Sequence, residues 1–242
     1  MKNRGTNYNN IAEIYDKLNF NSEKFYSFVR ANIERFKPNA RRVLEIACGT
    51  GNIIGRMKDR YECYGLDIST AMIKIAKQKF NSINFSVQDM RDFNYKKKFD
   101  VIFCVFDSMN HLLKKKDWKK VFDSVRKNLV NKGLFIFDIN TPHKFETFKD
   151  SKVEKIELKD KCFKIKKKAG KNNEAYWYIQ IFSKCGKKGH ELRNDVIKEK
   201  AFDVDIISRE LKNYFELLEV RDFDRAVLDK NSKRVLFVCR KS

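Results

Sequence analysis

The sequence contains no apolar run that approaches the roughly eighteen residues of a membrane-spanning helix. Its first ten residues, M-K-N-R-G-T-N-Y-N-N, also lack the apolar stretch of a secretion signal. We therefore expect a cytoplasmic protein that does not enter a membrane. With 242 residues, 42% of them hydrophobic, the chain can bury one full core and still accommodate an insertion or small second domain.

The six cysteines, at 48, 63, 104, 162, 185 and 239, include no C-x-x-C pair and show no regular spacing. Four of them lie in or beside apolar runs that are typical of strands, which favours reduced and mostly buried thiols. The one local pair of possible ligands, Cys185 with His190, lies in a Lys-rich turn and falls short of the four ligands of a structural zinc site. We therefore predict no metal.

Acidic residues are outnumbered, with 32 Asp and Glu against 53 Lys and Arg, for a formal charge of +21. Such an excess favours partners that are nucleic acids or anionic substrates. The excess is nevertheless spread along the chain, with 27 basic and 15 acidic residues up to residue 140 and 26 and 17 after it. Lysine runs at 96–98, 114–116 and 166–168 fall at different places. Two interpretations remain open: a Lys-rich solvated surface, or a face that binds RNA.

From Arg42 onward, short apolar runs alternate with amphipathic stretches. Five runs predict strands, at 43–47, 61–66, 83–87, 101–106 and 134–139. Helical spacing lies between them, for example from Met72 to Ala76 and from Trp118 to Leu129. Strands that alternate with helices predict an α/β fold, in which a Rossmann-like, mostly parallel sheet is covered by helices on both faces.

The regions on either side of this unit have different patterns. Residues 8–36 show helix-like spacing, which Pro38 ends. Between about residues 152 and 200, apolar residues alternate with polar ones at period two, and Gly-containing turns separate the runs, so we predict three or four antiparallel strands. A helix near residues 205–215, capped by Asp203 or Asp205, precedes two last strands at 217–223 and 234–239.

The segment from Val43 to Gly55, V-L-E-I-A-C-G-T-G-N-I-I-G, predicts a strand, a turn at Gly49 and Gly51, and the opening of a helix. Glycines allow the backbone to approach a ligand without a clash at Cβ. Gly55 comes one residue too late for a dinucleotide fingerprint. Glu45 would repel a pyrophosphate, whereas a ligand with an amino acid and a sulfonium tolerates this carboxylate.

The run E-I-A-C-G-T-G resembles the first motif, [DE]-x-x-x-G-x-G, of class I S-adenosylmethionine-dependent methyltransferases. Asp67, in Y-G-L-D-I-S, and Q88-D89-M90 end the next two predicted strands, where this family has its second and third motifs. Residues 99–112 and the strand at 134–139 resemble the fourth and fifth. All five occur in the family's order over roughly residues 40–140.

The resemblance implies a seven-stranded sheet that ends in an antiparallel hairpin. It also implies S-adenosylmethionine as cofactor and S-adenosylhomocysteine as product. The insertion is similar to the lid of small-molecule N-methyltransferases, including those that act on amino sugars and on glycine. We therefore expect a methyltransferase domain of residues 1–140 and 201–242, with capping helices in residues 1–38, and an antiparallel β lid of residues 141–200.

The family pattern also implies the residues that bind the cofactor. Asp67 would hold both ribose hydroxyls, because a carboxylate can accept two hydrogen bonds at once. Asp89 and its neighbour Met90 would contact the adenine ring. The predicted cofactor-binding residues are Tyr8, Tyr15, Glu45, Ala47, Gly49, Gly51, Asp67, Ile68, Met72, Asp89, Met90 and Val105.

His111 and Tyr15 are the predicted catalytic residues. His111, in N-H-L, matches the histidine of a G-H-L sequence that lines the acceptor pocket in sugar N-methyltransferases, and Asn110 replaces the glycine, which alters the pocket's width. Tyr15 lies where related enzymes fold a helix over the methyl donor. Alternatives remain open: His111 packs near the cofactor, Tyr8 and Tyr15 are core aromatics, and Asp107 either orients an acceptor amine or caps the next helix.

Three functions fit these patterns. The first is methyl transfer to a small-molecule acceptor, at nitrogen, beneath the lid. The second is an RNA methyltransferase whose Lys-rich insertion grips phosphates, and its binding would weaken steeply with salt. The third is a non-catalytic module that binds the cofactor. The absence of an N-P-P-Y or D-P-P-Y run after the fourth strand disfavours methylation of a nucleobase or a glutamine amide. We expect a monomer or a homodimer.

Overall fold

The computed structural model describes residues 7–18, 21–184, 189–225 and 227–242. Within these residues the chain forms eleven strands and five α-helices, and the strands are divided between two sheets. None of the helices in these ranges combines the length and the apolar character that crossing a membrane requires.

The central sheet contains β1 (Arg42–Ile46), β2 (Glu62–Asp67), β3 (Asn84–Val87), β4 (Phe99–Cys104), β5 (Leu129–Asn140), β10 (Glu216–Asp222) and β11 (Arg234–Arg240). Its order is β10-β11-β5-β4-β1-β2-β3. Strands β1 to β5 pair in parallel, whereas β11 is antiparallel to both β5 and β10. The predicted seven-stranded, mostly parallel sheet with a final antiparallel hairpin is confirmed. The carboxyl ends of the parallel strands therefore meet at one edge.

The helices are α1 (Ser22–Phe36), α2 (Thr70–Lys79), α3 (Lys115–Asn128), the short α4 (Pro142–Glu146) and α5 (Val204–Leu211). Helices α1 and α2 pack on one face of the central sheet, through side chains such as Phe28 and Ile73. Helices α3 and α5 pack on the other face, through Trp118 and Leu211. Each layer of helices buries apolar surface of the sheet, and each Å² removed from water stabilises the fold by about 25 cal/mol. This burial holds the helices on both faces.

A second sheet follows α4 and consists of β6 (Glu154–Leu158), β7 (Lys161–Ala169), β8 (Glu174–Lys184) and β9 (His190–Lys200). We call it the insertion sheet. Its order is β6-β7-β8-β9, and every pair is antiparallel. The prediction of three or four antiparallel strands in this region is confirmed, with four.

Residues 7–18, which we call the N-terminal strap, lie between the two sheets. Ile11 and Ile14 are fully buried against the apolar face of the insertion sheet. On the insertion side, the Asn7 side chain donates to the Val196 carbonyl at 2.5 Å. On the other side, Asn9 Oδ1 accepts a hydrogen bond from Ser69 Oγ at 2.6 Å. The strap therefore connects the insertion sheet to the loops of the central sheet.

The strap differs from the expectation of helix over residues 8–36. It forms two short 3-10 helices, Asn7–Asn10 and Ala12–Lys17, before α1 begins at Ser22. Its asparagines explain the difference, because Asn side chains compete for hydrogen bonds that a longer helix would need. The predicted helix near residues 205–215 is also shorter, ending at Leu211. Asp203 occupies its N-cap position, but its side chain makes no capping hydrogen bond.

Candidate active site

A cavity of about 340 Å³ lies at the carboxyl edge of the central sheet, where the strap and β9 also approach. Its walls come from the loops after β1, β2, β3 and β4, from the strap, and from residues 196–198 of β9. These elements bring together most of the predicted cofactor-binding residues and His111. The predicted residues in its lining are Tyr8, Tyr15, Ala47, Gly49, Asp67, Ile68, Met72, Asp89, Met90 and His111.

The glycine turn is fixed from beneath by Asp67. Ala47, Gly49 and Gly51 have φ angles of 55°, 53° and 79°, so the chain reverses through left-handed conformations that favour glycine. One Asp67 oxygen accepts from the Gly49 amide at 2.9 Å, and the other accepts from the Ser69 amide at 2.8 Å. Burial raises the pKa of Asp67. Its carboxylate therefore holds two loops together and retains lone pairs for a ligand in the cavity.

Three predicted cofactor-binding residues, Glu45, Gly51 and Val105, lie outside the lining of this cavity. Glu45 and Val105 line a smaller cavity of about 80 Å³ behind the turn. Glu45 Oε2 accepts a hydrogen bond from the Ile54 amide at 2.9 Å, and burial raises its pKa. A Cβ on Gly51 would approach the Phe85 ring to 2.9 Å. Glu45 and Gly51 thus support the turn from behind, and contact of these three residues with a cofactor stays a prediction.

Asp89 lines the cavity at the end of β3, and Arg91 holds its carboxylate. Arg91 Nε donates to both carboxylate oxygens, at 2.9 and 3.1 Å, and Nη2 makes a third contact at 2.5 Å. Such a fork fixes the plane of the carboxylate. Gln88 and Met90 lie on the same wall of the cavity.

Tyr8, Tyr15 and His111 meet at the other end of the cavity. The Tyr8 hydroxyl lies 3.0 Å from His111 Nε2, and the Tyr15 ring packs against the Tyr8 ring at 6.1 Å between centroids. Burial lowers the pKa of His111 and raises the pKa of Tyr8, so the imidazole is neutral and the phenol keeps its proton. A backbone hydrogen bond with Lys198 engages the imidazole as well. Tyr8 therefore donates to the neutral imidazole.

Arg234, on β11, joins two carboxylates beneath this end of the cavity. Its Nη2 donates to Asp107 Oδ1 at 2.7 Å, and its Nη1 donates to Asp138 Oδ2. Asp138 Oδ2 also accepts from the Asp107 amide at 3.0 Å. Burial raises the pKa of Asp138 to about 6 against the opposing effect of Arg234. We call these three residues the Arg234 clamp.

The clamp holds a strained stretch of backbone after β4. Phe106 and Asp107 have φ angles of 61° and 50°, which non-glycine residues rarely adopt and which persist only where the surroundings impose them. The 3-10 helix Ser108–His111 follows directly and carries His111 to the cavity. Asp107 occupies its N-cap position without a side-chain capping bond, so its carboxylate serves the clamp and not a helix.

Asn110, which replaces the glycine of the family's G-H-L sequence, turns away from the cavity and ties three elements together. Its amide nitrogen donates to the carbonyls of Asn140 and Lys200, at 3.0 and 3.1 Å. Its Oδ1 accepts from the Asn140 amide at 2.9 Å. Asn110 thereby fastens the His111 turn to the ends of β5 and β9.

Glu199, at the end of β9, is a functional candidate that the sequence reasoning missed. It is fully buried, and its carboxylate faces the Trp177 indole N–H without a hydrogen bond of normal geometry. Oε1 lies 4.0 Å from His111 Nε2. Burial, and then the charge of Asp107, raise the pKa of Glu199 well above its ordinary value. The sequence of β9 contains no signal of this burial, because the residues of the same parity include Arg193 and Asp195, whereas the apolar Leu192 and Val196 have the opposite parity.

Among the described residues, no group of three or more His, Cys, Asp or Glu side chains is arranged to hold a metal ion. Of the one pair that the sequence offered, Cys185 lies outside the described residues, as does the side chain of His190.

Replacing Arg234 with Met should reduce the free energy of unfolding by about 3–5 kcal/mol, because Asp107 and Asp138 would remain buried without their cation. Urea denaturation measures this loss. The matched control is Arg240→Met, whose partner Glu216 is half exposed, and it should cost less than about 1 kcal/mol. The double variant Asp138→Asn/Arg234→Met should recover part of the loss. Equal losses for the two single variants would contradict the clamp.

Replacing Glu199 with Gln should change how stability depends on pH. The folded protein keeps the Glu199 proton to a higher pH than the unfolded chain, so this group's contribution falls as pH rises from about 4.5 toward the raised pKa. Each unit of the shift corresponds to about 1.4 kcal/mol. The melting temperature of the variant relative to the native protein should therefore rise with pH.

Asp138 titrates in both Glu199→Gln and the native protein, so its contribution cancels in the difference between their melting temperatures. The charged or titratable groups that face Glu199 all remain in the variant, and they are Asp107, Arg234, Lys167, His111 and Tyr8. Parallel curves for Glu199→Gln and the native protein would show that Glu199 is ionised at ordinary pH.

Comparison with known proteins agrees with this geometry. Residues 43–133 match the sequence profile of a family described as Methyltransferase domain. YqeM of Bacillus subtilis, which is named as a methyltransferase, is 30% identical over 97% of both chains. The dTDP-3-amino-3,6-dideoxy-alpha-D-glucopyranose N,N-dimethyltransferase of Streptomyces fradiae is 33% identical over 42% of each chain.

Among solved structures, an S-adenosylmethionine-dependent methyltransferase from Clostridium acetobutylicum matches with a TM-score of 0.81 and 25% identity. The match covers 98% of this chain and 100% of that one. The agreement extends over the insertion sheet as well as the central sheet, because almost the whole of both chains is aligned. This chain belongs to the S-adenosylmethionine-dependent methyltransferases.

Proposed function

We propose that the protein methylates a nitrogen atom of a small-molecule amine, and that residues 141–200 form a lid over the acceptor. The observation that carries the proposal is the composition of the cavity wall. Tyr8, Tyr15 and His111 share one cavity with the loops that end β1 to β3, and β9 closes the side next to His111. The same cavity thus offers a donor end and an acceptor end.

The donor end fits S-adenosylmethionine by shape and by chemistry. Asp67 has two carboxylate oxygens at the wall, each already accepting one loop amide, and its remaining lone pairs suit the two ribose hydroxyls. Ile68, Met72 and Met90 provide apolar walls for a purine. A Cβ on Gly49 would lie 3.3 Å from the Tyr15 ring, so only glycine leaves the turn open to a ligand beside Tyr15.

When bound, S-adenosylmethionine supplies an activated methyl group, so the chain's own residues need mainly to align the acceptor and manage its proton. An amine must be neutral to attack. Tyr8 and His111 provide a route for the proton that an acceptor ammonium loses, because the hydroxyl can accept it while giving its own proton to His111 Nε2. The clamp carboxylate of Asp107 adds negative potential that stabilises the resulting imidazolium.

The acceptor end is enclosed by the strap and by β9. The side chain of Asn7 reaches the Val196 carbonyl, and Asn10 Nδ2 donates to Asp195 Oδ2 at 2.8 Å. These contacts close the cavity from above and restrict its size. A compact acceptor fits this enclosure, and the amino-sugar specificity in the name of the Streptomyces fradiae relative is consistent with it.

Asp67→Ala should weaken S-adenosylmethionine binding at least about tenfold, because two charge-assisted hydrogen bonds to the ribose would be lost. Calorimetric titration with the donor measures the change, and circular dichroism reports whether the fold is retained. Asp67→Asn keeps one acceptor oxygen, enough for one of the two loop amides, and removes the charge that strengthens the ribose hydrogen bonds. Asp59→Ala, at an exposed site, is the control. Unchanged affinity in Asp67→Ala would refute the ribose assignment.

His111→Ala should lower turnover by about 100-fold or more while leaving donor affinity unchanged. The assay combines S-adenosylmethionine with small amines, including amino sugars and glycine, and with matched alcohols, and detects methylated products by mass spectrometry. His143→Ala removes an exposed histidine paired with Glu146 and should leave turnover unaltered.

Each alternative predicts a different result in this assay. Methylation of the alcohols would contradict transfer to nitrogen. Equal turnover in His111→Ala would place the histidine among the packing residues. Donor binding without methylation of any tested acceptor would support the non-catalytic interpretation.

A further inference from the structure

The insertion sheet has two faces of opposite character. One face is apolar and packs on the N-terminal strap, through residues such as Phe163 and Ile179. On the opposite face, which we call the outer face, strand register aligns side chains in rows. The rows are Lys168–Tyr176–Lys198, Lys166–Tyr178–Val196, Lys164–Gln180–Asn194 and Cys162–Phe182–Leu192.

Three lysines form a line of uncompensated charge along β7. Lys164, Lys166 and Lys168 alternate on the outer face and make no ion pair with any described residue, whereas Lys155 and Lys198 on neighbouring strands pair with Glu157 and Glu174. Alternate residues of a strand are about 6.6 Å apart. The ammonium groups are therefore spaced regularly along one direction, as the phosphates of an extended nucleic-acid strand are.

A line of aromatic rings runs beside these lysines on β8. Tyr176 and Tyr178 lie 6.2 Å apart between ring centroids, and Phe182 continues the line. Tyr178 is 42% exposed, as are Leu192 and Val196 to similar degrees on β9. Lys168 Nζ lies 5.3 Å from the Tyr178 ring, and Lys164 Nζ lies 4.9 Å from the Phe182 ring. Each of these two rings thus has an ammonium group from the neighbouring strand beside it.

We propose that the outer face of the insertion sheet binds single-stranded RNA, with the β7 lysines along the phosphates and the β8 rings beneath unpaired bases. Parallel lines of cations and rings are the arrangement by which proteins hold single strands without reading sequence. On binding, each ammonium moves from a ring to a phosphate, and a base takes its place on the ring. Gln180 and Asn194 supply amides at this surface that can bond the ribose 2′-hydroxyl.

The charges and polarity of the outer face argue against other occupants. A second copy of the chain would bring two lines of uncompensated lysines together, which costs several kcal/mol in like-charge contacts. Insertion into a membrane would require a continuous apolar patch, whereas the Gln180–Asn194 hydrogen bond of 3.2 Å separates Leu192 from Val196 on this face. Duplex RNA keeps its bases stacked and leaves the rings without partners. The inference does not depend on the identity of the methyl acceptor.

The test is fluorescence anisotropy of the full chain with a labelled oligouridylate of about 12 nucleotides. Duplex RNA, an oligothymidylate of equal length and phosphatidylserine vesicles are the competing probes. The oligouridylate should bind most tightly, and its affinity should fall steeply between about 50 and 200 mM salt. The variant Lys164→Ala/Lys166→Ala/Lys168→Ala should bind at least about tenfold more weakly, and its salt slope should be shallower by about 2.

Two controls separate this surface from the general positive charge. Lys77→Ala/Lys127→Ala/Lys212→Ala removes the same charge from exposed positions on α2, on α3 and at the C-cap of α5, and should bind almost as the native protein does. Tyr178→Ala should weaken binding roughly fivefold to 100-fold, and Tyr178→Phe should restore it, because stacking needs the ring alone. Donor affinity by calorimetry should be unchanged in every variant, which shows that each is folded.

Several outcomes would overturn the proposal. Equal losses in the two triple-lysine variants would show that only net charge attracts the RNA. An unaltered affinity in Tyr178→Ala would remove the stacking surface. Tighter binding to duplex RNA, to the oligothymidylate or to vesicles would assign the face to that partner instead. None of these results bears on methyl transfer, so the proposed function stands or falls separately.

Discussion

The ion pairs of Arg234 are the constraint on which the site geometry depends. This one guanidinium satisfies carboxylates from the loop after β4 and from β5, and it is itself carried by the antiparallel strand β11. Its plane also lies 5.2 Å from the Phe25 ring of α1. The left-handed Phe106–Asp107 stretch is held by these contacts, and the following turn brings His111 to the cavity. A residue near the carboxyl end of the chain thus determines where a residue in its middle lies.

The surface of the molecule is strongly positive, whereas acids outnumber bases among the buried groups beside His111. Its formal charge is +21, yet the buried ionisable groups near His111 include Asp107, Asp138 and Glu199 with one guanidinium between them. Burial raises the pKa of Asp138 and of Glu199, so these acids keep their protons to a higher pH than exposed acids do. The lysines remain in water, where their charge costs little. Full charge is therefore carried at the surface and is largely avoided in the interior beside His111.

The architecture was largely predictable because local patterns specify it. Five apolar runs and period-two alternation identified both sheets, and the glycine turn with Asp67 and Asp89 identified loops that the structure brings to one cavity. Arg234 and Glu199 were not predicted, because their roles depend on residues that are distant in sequence. The partners of Arg234 lie 96 or more residues away, and His111 lies about 88 residues from Glu199. The 3-10 form of the strap was missed for a related reason. Asn7, Asn9 and Asn10 reveal their role only when the distant carbonyls, hydroxyls and carboxylates that they bond are in place.

The strap also determines when the enclosure can first exist. Asn7 and Asn10 bond residues that lie 189 and 185 positions later in the chain. During synthesis the strap therefore emerges well before its partners on β9. Contacts of such long sequence separation form late, because the loop between them must be closed before they contribute. The cavity is therefore completed only when β9 has folded, and a truncated chain that contains every cofactor motif still lacks an enclosed site.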